Sequence, residues 1–504
     1  MKKITFISLV LLMTATVGCK KGFLDINTSP NSVTPGSITP DLICPRAEHA
    51  MAATMATSYR IEAHWLGYWS RSGTYGPNAD EESYNISSNF EAGEWSNWFG
   101  ILNDLHIMEQ KANASGEKLY EGIAKTLKTI GFMYLVDQYN NVPYTEAFDL
   151  GNHILPAYDK GQDIYNDLLV QLDDAQALIV AANPSTNANI AAADIIYGGD
   201  QTSWRKFINT QRLKLILRMS QVPSFNPSAV INKIQTDGSG FIGSGETASV
   251  QPGYLADNGK QNPFWDSYRL LYTGDVADQF NRANNYVLNK YRSNSDIRYQ
   301  YFFQKAATPL HGNDYYGYNF GEVLPNDFEY KAANSSGVAG PGLAKSATQP
   351  QWLFTSVESM FMQAEAIQRG WLPGSAQSAY ENAIRESFKW LGIPNYLTEA
   401  NNYINQPGNT IVDWSTAASS TAKIQLIAMQ QYLALCGVNN FEAWQLYRRL
   451  GVPTDLPPSM APNLAGRHVP YRLQYPQDEF NYNAANVAAE GTINPQNDKI
   501  FWDQ

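Results

Sequence analysis

Cysteine is scarce in this sequence. Three occur among 504 residues, at Cys19, Cys44 and Cys436, and no CxxC pair is present. That argues against a cysteine-based zinc site. Charge is scarce too: Asp, Glu, Lys and Arg make up 16%, against roughly 25% in ordinary globular chains. Neutral Asn, Gln, Ser and Thr must therefore cover much of the surface. The charges sum to −11, a sign that argues against binding nucleic acid or gripping anionic lipid electrostatically. The apolar run from Ile4 to Val17 is too short to cross a hydrocarbon layer of ~30 Å at ~1.5 Å per helical residue. Neither HExxH nor GxSxG occurs, so two common hydrolase signatures are missing. Gly238–Gly243 fits GxGxxG, but a helix is expected before it where a dinucleotide site needs a strand, so it reads as a turn. The six histidines, His49, His64, His106, His153, His311 and His468, are scattered and read as structural or surface groups.

The chain opens Met1-Lys2-Lys3, turns apolar, and reaches Gly18-Cys19. A cationic start and a short apolar core predict a secretory leader over residues 1–18. A cysteine after a small residue at its end resembles a bacterial lipobox, with Thr16 where leucine is usual. That resemblance implies cleavage before Cys19 and acylation of its thiol. Loss of Lys2 and Lys3 would take the charge from −11 to −13. Membrane attachment would then rest on acyl chains, at about 0.8 kcal/mol per buried methylene. Cys44 and Cys436 would remain, and sequence does not bring them within the ~4.4–6.8 Å a disulfide needs. They read as buried free thiols. Residues 19–40, rich in Pro, Ser, Asn and Thr, predict a tether.

Helical spacing dominates residues 41–504, read here as one domain. Pro45 suits the first turn of a helix running toward Tyr68, and another block lies around Glu94–Lys111. Tyr120, Ile123, Ala124, Leu127, Ile130 and Tyr134 share one face, ending at Asn140-Asn141-Val142-Pro143. Ile164 to Ile179 form a further stripe. Trp204 to Leu217 are apolar on more than one side, which predicts a buried helix. Residues 237–350 crowd Gly, Asn, Pro and aromatics without helical period and predict a loop-rich lobe. Short strands are expected near Thr247–Gln251 and Tyr299–Gln304. Val357–Ile367 and Ala379–Leu391 then form a helix pair about a Gly370–Gly374 turn, and Ile424–Leu435 with Phe441–Leu450 form another. The reading is a mostly α fold: a tetratricopeptide-like helix-pair scaffold with an irregular loop-rich lobe and little β.

Several stretches together resemble one family, the SusD/RagB-like nutrient-binding outer-membrane lipoproteins. They are Phe23-Leu24-Asp25-Ile26-Asn27-Thr28-Ser29-Pro30-Asn31; Asp137 to Ala147; Gly199-Asp200 with Trp204-Arg205-Lys206-Phe207; Ala364-Glu365-Ala366 through Arg369-Gly370-Trp371; Glu442-Ala443-Trp444 with Arg448 to Pro453; and Tyr475-Pro476 with Glu479, closing on Phe501-Trp502-Asp503. Asn140-Asn141 stands where Gly-Asp is usual, and Asp296-Ile297-Arg298 where Asp-Pro-Arg is common. The resemblance implies an outer-membrane lipoprotein facing outward. It implies a lid over a SusC-like TonB-dependent barrel transporter, delivering glycans or, in some members, peptides, without catalysis.

A sugar offers an apolar C–H face to an aromatic ring and hydroxyls to Asn, Gln, Asp, Arg and Tyr. Two stretches carry that chemistry. The first holds Trp69, Arg71, Tyr75, Asn78, Trp95 and Trp98, most of them expected to be buried. The second holds Trp265, Tyr268, Arg269, Tyr316 and Tyr318, with Tyr272, Asn313 and Tyr315 beside them. Trp204, Trp352, Trp390 and Trp444 are expected in the core. Asp80-Glu81-Glu82 and Asp478-Glu479 read as solvated surface. Calcium takes such oxygens, but no EF-hand spacing is present, and no cofactor is expected. A peptide-binding lid is the alternative reading. A surface glycoside hydrolase, which needs two facing carboxylates, is a more distant one.

Overall fold

The computed structural model describes residues 38–223, 225–310 and 312–503. The expected leader, Cys19, the tether as far as residue 37, and His311 lie outside the described residues.

The principal helices are α1 (Pro40–Thr57), α2 (Arg60–Trp65), α3 (Ala92–Ser115), α4 (Lys118–Tyr139), α5 (Gly161–Ala181) and α6 (Gln201–Arg218). After the lobe come α7 (Ser356–Gln368), α8 (Ala376–Trp390), α9 (Tyr396–Ile404), α10 (Ser420–Ala434) and α11 (Asn440–Leu450). Their starts are written locally. Asp200, Thr355, Ser375, Ser419 and Asn439 each accept a hydrogen bond from the amide three residues on, satisfying donors that the first turn leaves free. Asn140 ends α4 at φ 65°, and Pro143 follows where the helix cannot continue. Pro40, not Pro45, opens α1, so Pro45 lies inside it. That expected helix is in fact two, broken at Ser58-Tyr59.

Consecutive helices pack as pairs: α3 on α4, α4 on α5, α7 on α8, and α10 on α11. An ideal Cβ on Gly131 would lie 2.8 Å from Leu102 Cδ2, so the bare glycine lets α3 and α4 approach. Helix α6 touches α4, α5 and α7, linking the early pairs to the late ones. It is enclosed from Phe207 to Arg218, as its two-sided apolar pattern predicts. Trp204, Trp352 and Trp444 are buried, while Trp390 is only half-buried. Cys44 and Cys436 are both buried free thiols.

Two small antiparallel sheets complete the fold. Strand β1 (Trp69–Arg71) pairs with β3 (Asn281–Ala283), Trp69 opposite Ala283 and Arg71 opposite Asn281. Strand β2 (Ala248–Val250) pairs with β4 (Gln351–Phe354) through a bulge after Ala248. β2 falls inside the expected Thr247–Gln251 strand. The other expected strand is wrong: Tyr299–Phe302 is a helical turn. There Asp296 accepts from the Arg298 amide and guanidinium, both at 3.0 Å, which coils the backbone. Gly238 ends the helix Ser228–Asp237 at φ 71°, so the GxGxxG stretch is the turn it was read to be.

Candidate ligand-binding site

Strand β1 leaves the α2 end of the scaffold and runs straight into the lobe. Beyond it, residues 72–75 are stitched to two other segments, around Phe280 and around Tyr330–Ala332. The Ser72 amide donates to Phe280 O at 2.9 Å and the Gly73 amide to Tyr330 O at 2.8 Å. The Ala332 amide donates to Thr74 Oγ1 at 3.0 Å, and Lys331 Nζ to Gly73 O at 3.2 Å. An ideal Cβ at Gly73 would lie 2.6 Å from Tyr330 O, so this closeness requires glycine. The Ser336 amide donates to Tyr316 O and the Ala283 amide to Ser336 O. Residues 69–78, 278–283, 316–322 and 328–337 thus form one surface.

Arg71 is buried as a brace beneath it. Its Nε donates to Glu82 at 2.6 Å, and its guanidinium also reaches Tyr75 O at 2.6 Å and Glu322 O at 3.2 Å. Asn78 caps the turn Ala79–Glu82, accepting from the Glu81 amide at 3.3 Å. The Asp80-Glu81-Glu82 run is therefore not solvated surface: Glu81 and Glu82 are buried. Glu81 pairs with His64 and, at 3.0 Å, with Arg60. Burial alone would raise its carboxyl, but His64 and then Arg60 hold it down at about 2. Burial pushes Glu82 up, with Arg71 opposing. Neighbouring cations in the fold, invisible in the local acidic run, neutralise the pair.

Tyr75 is 44% exposed and its ring lies 5.5 Å from that of Phe280. Tyr316 is half-buried, edge-on to buried Tyr318 at 5.8 Å. Tyr318 OH donates to Lys331 O and its ring neighbours Tyr330. Below, Arg282 lines a cavity of about 200 Å³ with Asp278, Gln279, Gln304, Lys305 and Ser335. It donates to Asp278 O and Asn281 O, but its Nε is buried without a hydrogen-bond partner in the protein. Val276 joins this lining from the base of a hairpin whose tip exposes Tyr272. Phe328, two residues before Tyr330, is 67% exposed.

The expected residues therefore divide. Arg71, Tyr75, Asn78, Tyr316 and Tyr318 meet on the stitched surface, Tyr75 and Tyr316 offering ring area. Trp69 and Tyr268 pack edge-to-face at 5.2 Å and are buried, with Trp265 and Arg269 half-buried nearby in sequence. Trp98 is enclosed and donates to Tyr59 OH. Trp95 is buried but lines a different cavity of about 490 Å³ with Phe99, Phe148 and Pro476. Arg282, Phe328 and Tyr330 were not foreseen, since only folding sets them beside the 72–75 loop. Among the described residues, no group of three or more His, Cys, Asp or Glu is placed to hold a metal ion.

A helix-pair scaffold carrying loops with open ring area and an unpaired buried donor has the frame of a ligand-binding protein. The sequence matches the SusD-like family described as "starch-binding associating with outer membrane" over residues 30–476, and the chain belongs to that family. No curated protein sequence matches it. Among solved structures, a SusD homologue from Bacteroides fragilis is similar, with TM-score 0.73 and 20% identity over 92% of this chain and 99% of its own. A chitin-binding SusD homologue from Flavobacterium johnsoniae gives TM-score 0.74 and 20% identity over 92% and 97%. A SusD-like protein from Bacteroides thetaiotaomicron gives 0.73 and 20% over 92% and 98%.

Proposed function

We propose that this protein captures oligosaccharides on the surface built by residues 69–78, 278–283, 316–322 and 328–337. It delivers them to a SusC-like TonB-dependent barrel transporter, over which it acts as a lid, and it binds without catalysis. The observation that carries this reading is the pairing of open ring area with unspent polar groups. Tyr75 and Tyr316 offer faces for sugar C–H bonds, and Arg282 in the adjoining strand β3 has a buried Nε without a partner. The family's starch-binding description, and the chitin-binding description of one structural relative, support glycan over peptide. Cys19 is the acyl anchor that keeps the body at the outer membrane, facing outward.

Calorimetric titration against neutral oligosaccharide and peptide panels tests the reading. Tyr75→Ala and Tyr316→Ala should each weaken glycan binding by about tenfold, the loss of one aromatic contact worth ~1.4 kcal/mol. Peptide binding without glycan binding would overturn the proposal. Separately, Cys19→Ala should release the protein from membranes lacking the transporter. Retention in that fraction would sink the anchor.

A further inference from the structure

A second cavity lies away from the lobe, sharing no lining residue with the surface described above. It measures about 610 Å³ and is walled by the α11 end, the start of α10 and the chain's last segment. Arg369, Arg448, Arg449 and Lys499 line it, with Asp503 as the acidic member. In a chain of net charge −11, that local excess of cations is an exception. Glu365 sits behind the wall and offsets part of it, pairing with Arg449 at 2.5 Å and Arg369 at 2.8 Å.

The hydrogen-bonding ledger of this cavity is incomplete in two directions. Arg448 and Arg449 are each 6% exposed, and the Nε of each has no partner in the protein. The rest of the Arg448 guanidinium is committed, to Tyr471 O, Gln445 and, at 2.6 Å, Asp137 O. Asp503 is 5% exposed, and neither of its carboxylate oxygens has a partner. Burial pushes its carboxyl up to about 6, with Arg448 and Lys499 opposing. Buried polar atoms are ordinarily satisfied, so orphan donors and orphan acceptors on the residues that line one cavity call for an explanation.

We infer that this cavity is a binding site for the carboxylate form of an acidic sugar. An anion alone would serve the arginines and repel Asp503. A neutral sugar could bond to both through its hydroxyls but would leave the excess positive charge unbalanced. A polyhydroxylated acid does both: its carboxylate accepts from Arg448, Arg449 and Lys499, and its hydroxyls donate to Asp503. Half-buried Tyr447 and Tyr471 give ring surface, and Gln221, Gln425 and Thr421 give further polar contacts. The volume exceeds the few tens of Å³ of an inorganic anion and lies within the range of small-molecule sites, ~300–1,000 Å³.

The inference is independent of glycan capture at the lobe. Calorimetry on the purified full chain with D-glucuronate, D-glucose and inorganic phosphate tests it. Glucuronate should bind, and both other probes should bind at least tenfold more weakly. Lys499→Gln, an exposed position safe for folding, should weaken glucuronate about tenfold, as expected for one lost charge-assisted bond. It should leave neutral-glycan binding at the lobe unchanged. Asp503→Asn should weaken glucuronate, whose hydroxyls lose their acceptor, while strengthening phosphate, which is relieved of a like charge. No glucuronate binding, or binding that Lys499→Gln leaves intact, would overturn the site. Equal binding of phosphate would overturn its assignment to a sugar acid.

Discussion

In the scaffold, Lys214 on α6 reaches Glu358 on α7 at 2.7 Å and Glu442 on α11 at 2.8 Å, all three buried. Arg218 grips both Glu442 oxygens at 2.6 Å and touches Asp137 on α4 at 3.1 Å. In the lobe, main-chain bonds between loops and Asn, Ser and Thr side chains carry more of that work, over the buried Arg71–Glu82 and Arg298–Asp296 pairs. One region is fixed by a few ions, each dependent on the others. The other rests on many neutral bonds, with separate two-ion pairs beneath, that hold a surface open. The low overall charge thus has a location: several of its ions are enclosed between helices, where pairing is obligatory. The neutral loops are left free to present rings and amides.

The comparison breaks most sharply at Glu442. Glu442→Ala leaves Lys214 and Arg218 facing each other without their shared acid, and unfolding in urea should show a loss of about 3–5 kcal/mol. Acid should act on the same centre. Burial would raise Glu442, yet Arg218 and then Lys214 hold it down at about 2. Glu358 shares Lys214 but not Arg218, and burial leaves it raised. A depressed carboxyl contributes stability above its unfolded value near 4.5, lost as pH falls toward 2. Glu81, also held at about 2, behaves alike. Thermal midpoints should therefore fall steeply between pH 4.5 and 2, and less steeply in Glu442→Gln.

In the lobe the effects should be smaller and should appear in binding first. An ideal Cβ on Gly317 would meet Ala283 O at 2.3 Å. Gly317→Ala should cost about 1–3 kcal/mol and abolish glycan binding by parting Tyr316 from β3. Asn78→Ala removes the cap on the Glu81 amide, for about 1 kcal/mol by urea midpoint. Tyr75→Ala should change stability by no more than about 0.5 kcal/mol while weakening glycan binding. A Tyr75→Ala protein that melted much earlier would erase the contrast between scaffold and lobe.

The scaffold helices were legible because their signal is local. Tyr120 to Tyr134 and Ile164 to Ile179 repeat at helical spacing. Strands β1 and β3 gave no comparable signal: three residues each, paired across more than two hundred positions. The candidate site was half legible. Tyr75, Asn78 and Tyr316 were found from an aromatic and amide crowd. Trp98 looked equally apt, yet its ring lies between helices, donating to Tyr59. Arg282 and Tyr330 stood in no pattern at all.

Sequence by itself determined the helical scaffold and the family, since each depends on periodicity or on motifs read along the chain. Tertiary structure alone decided which charges are enclosed and which rings are open. Glu81 became a buried partner of Arg60 and His64, and Asp503 a buried acid without one. Ionisation and exposure depend on what surrounds a group in space, and those surroundings come from segments hundreds of residues apart.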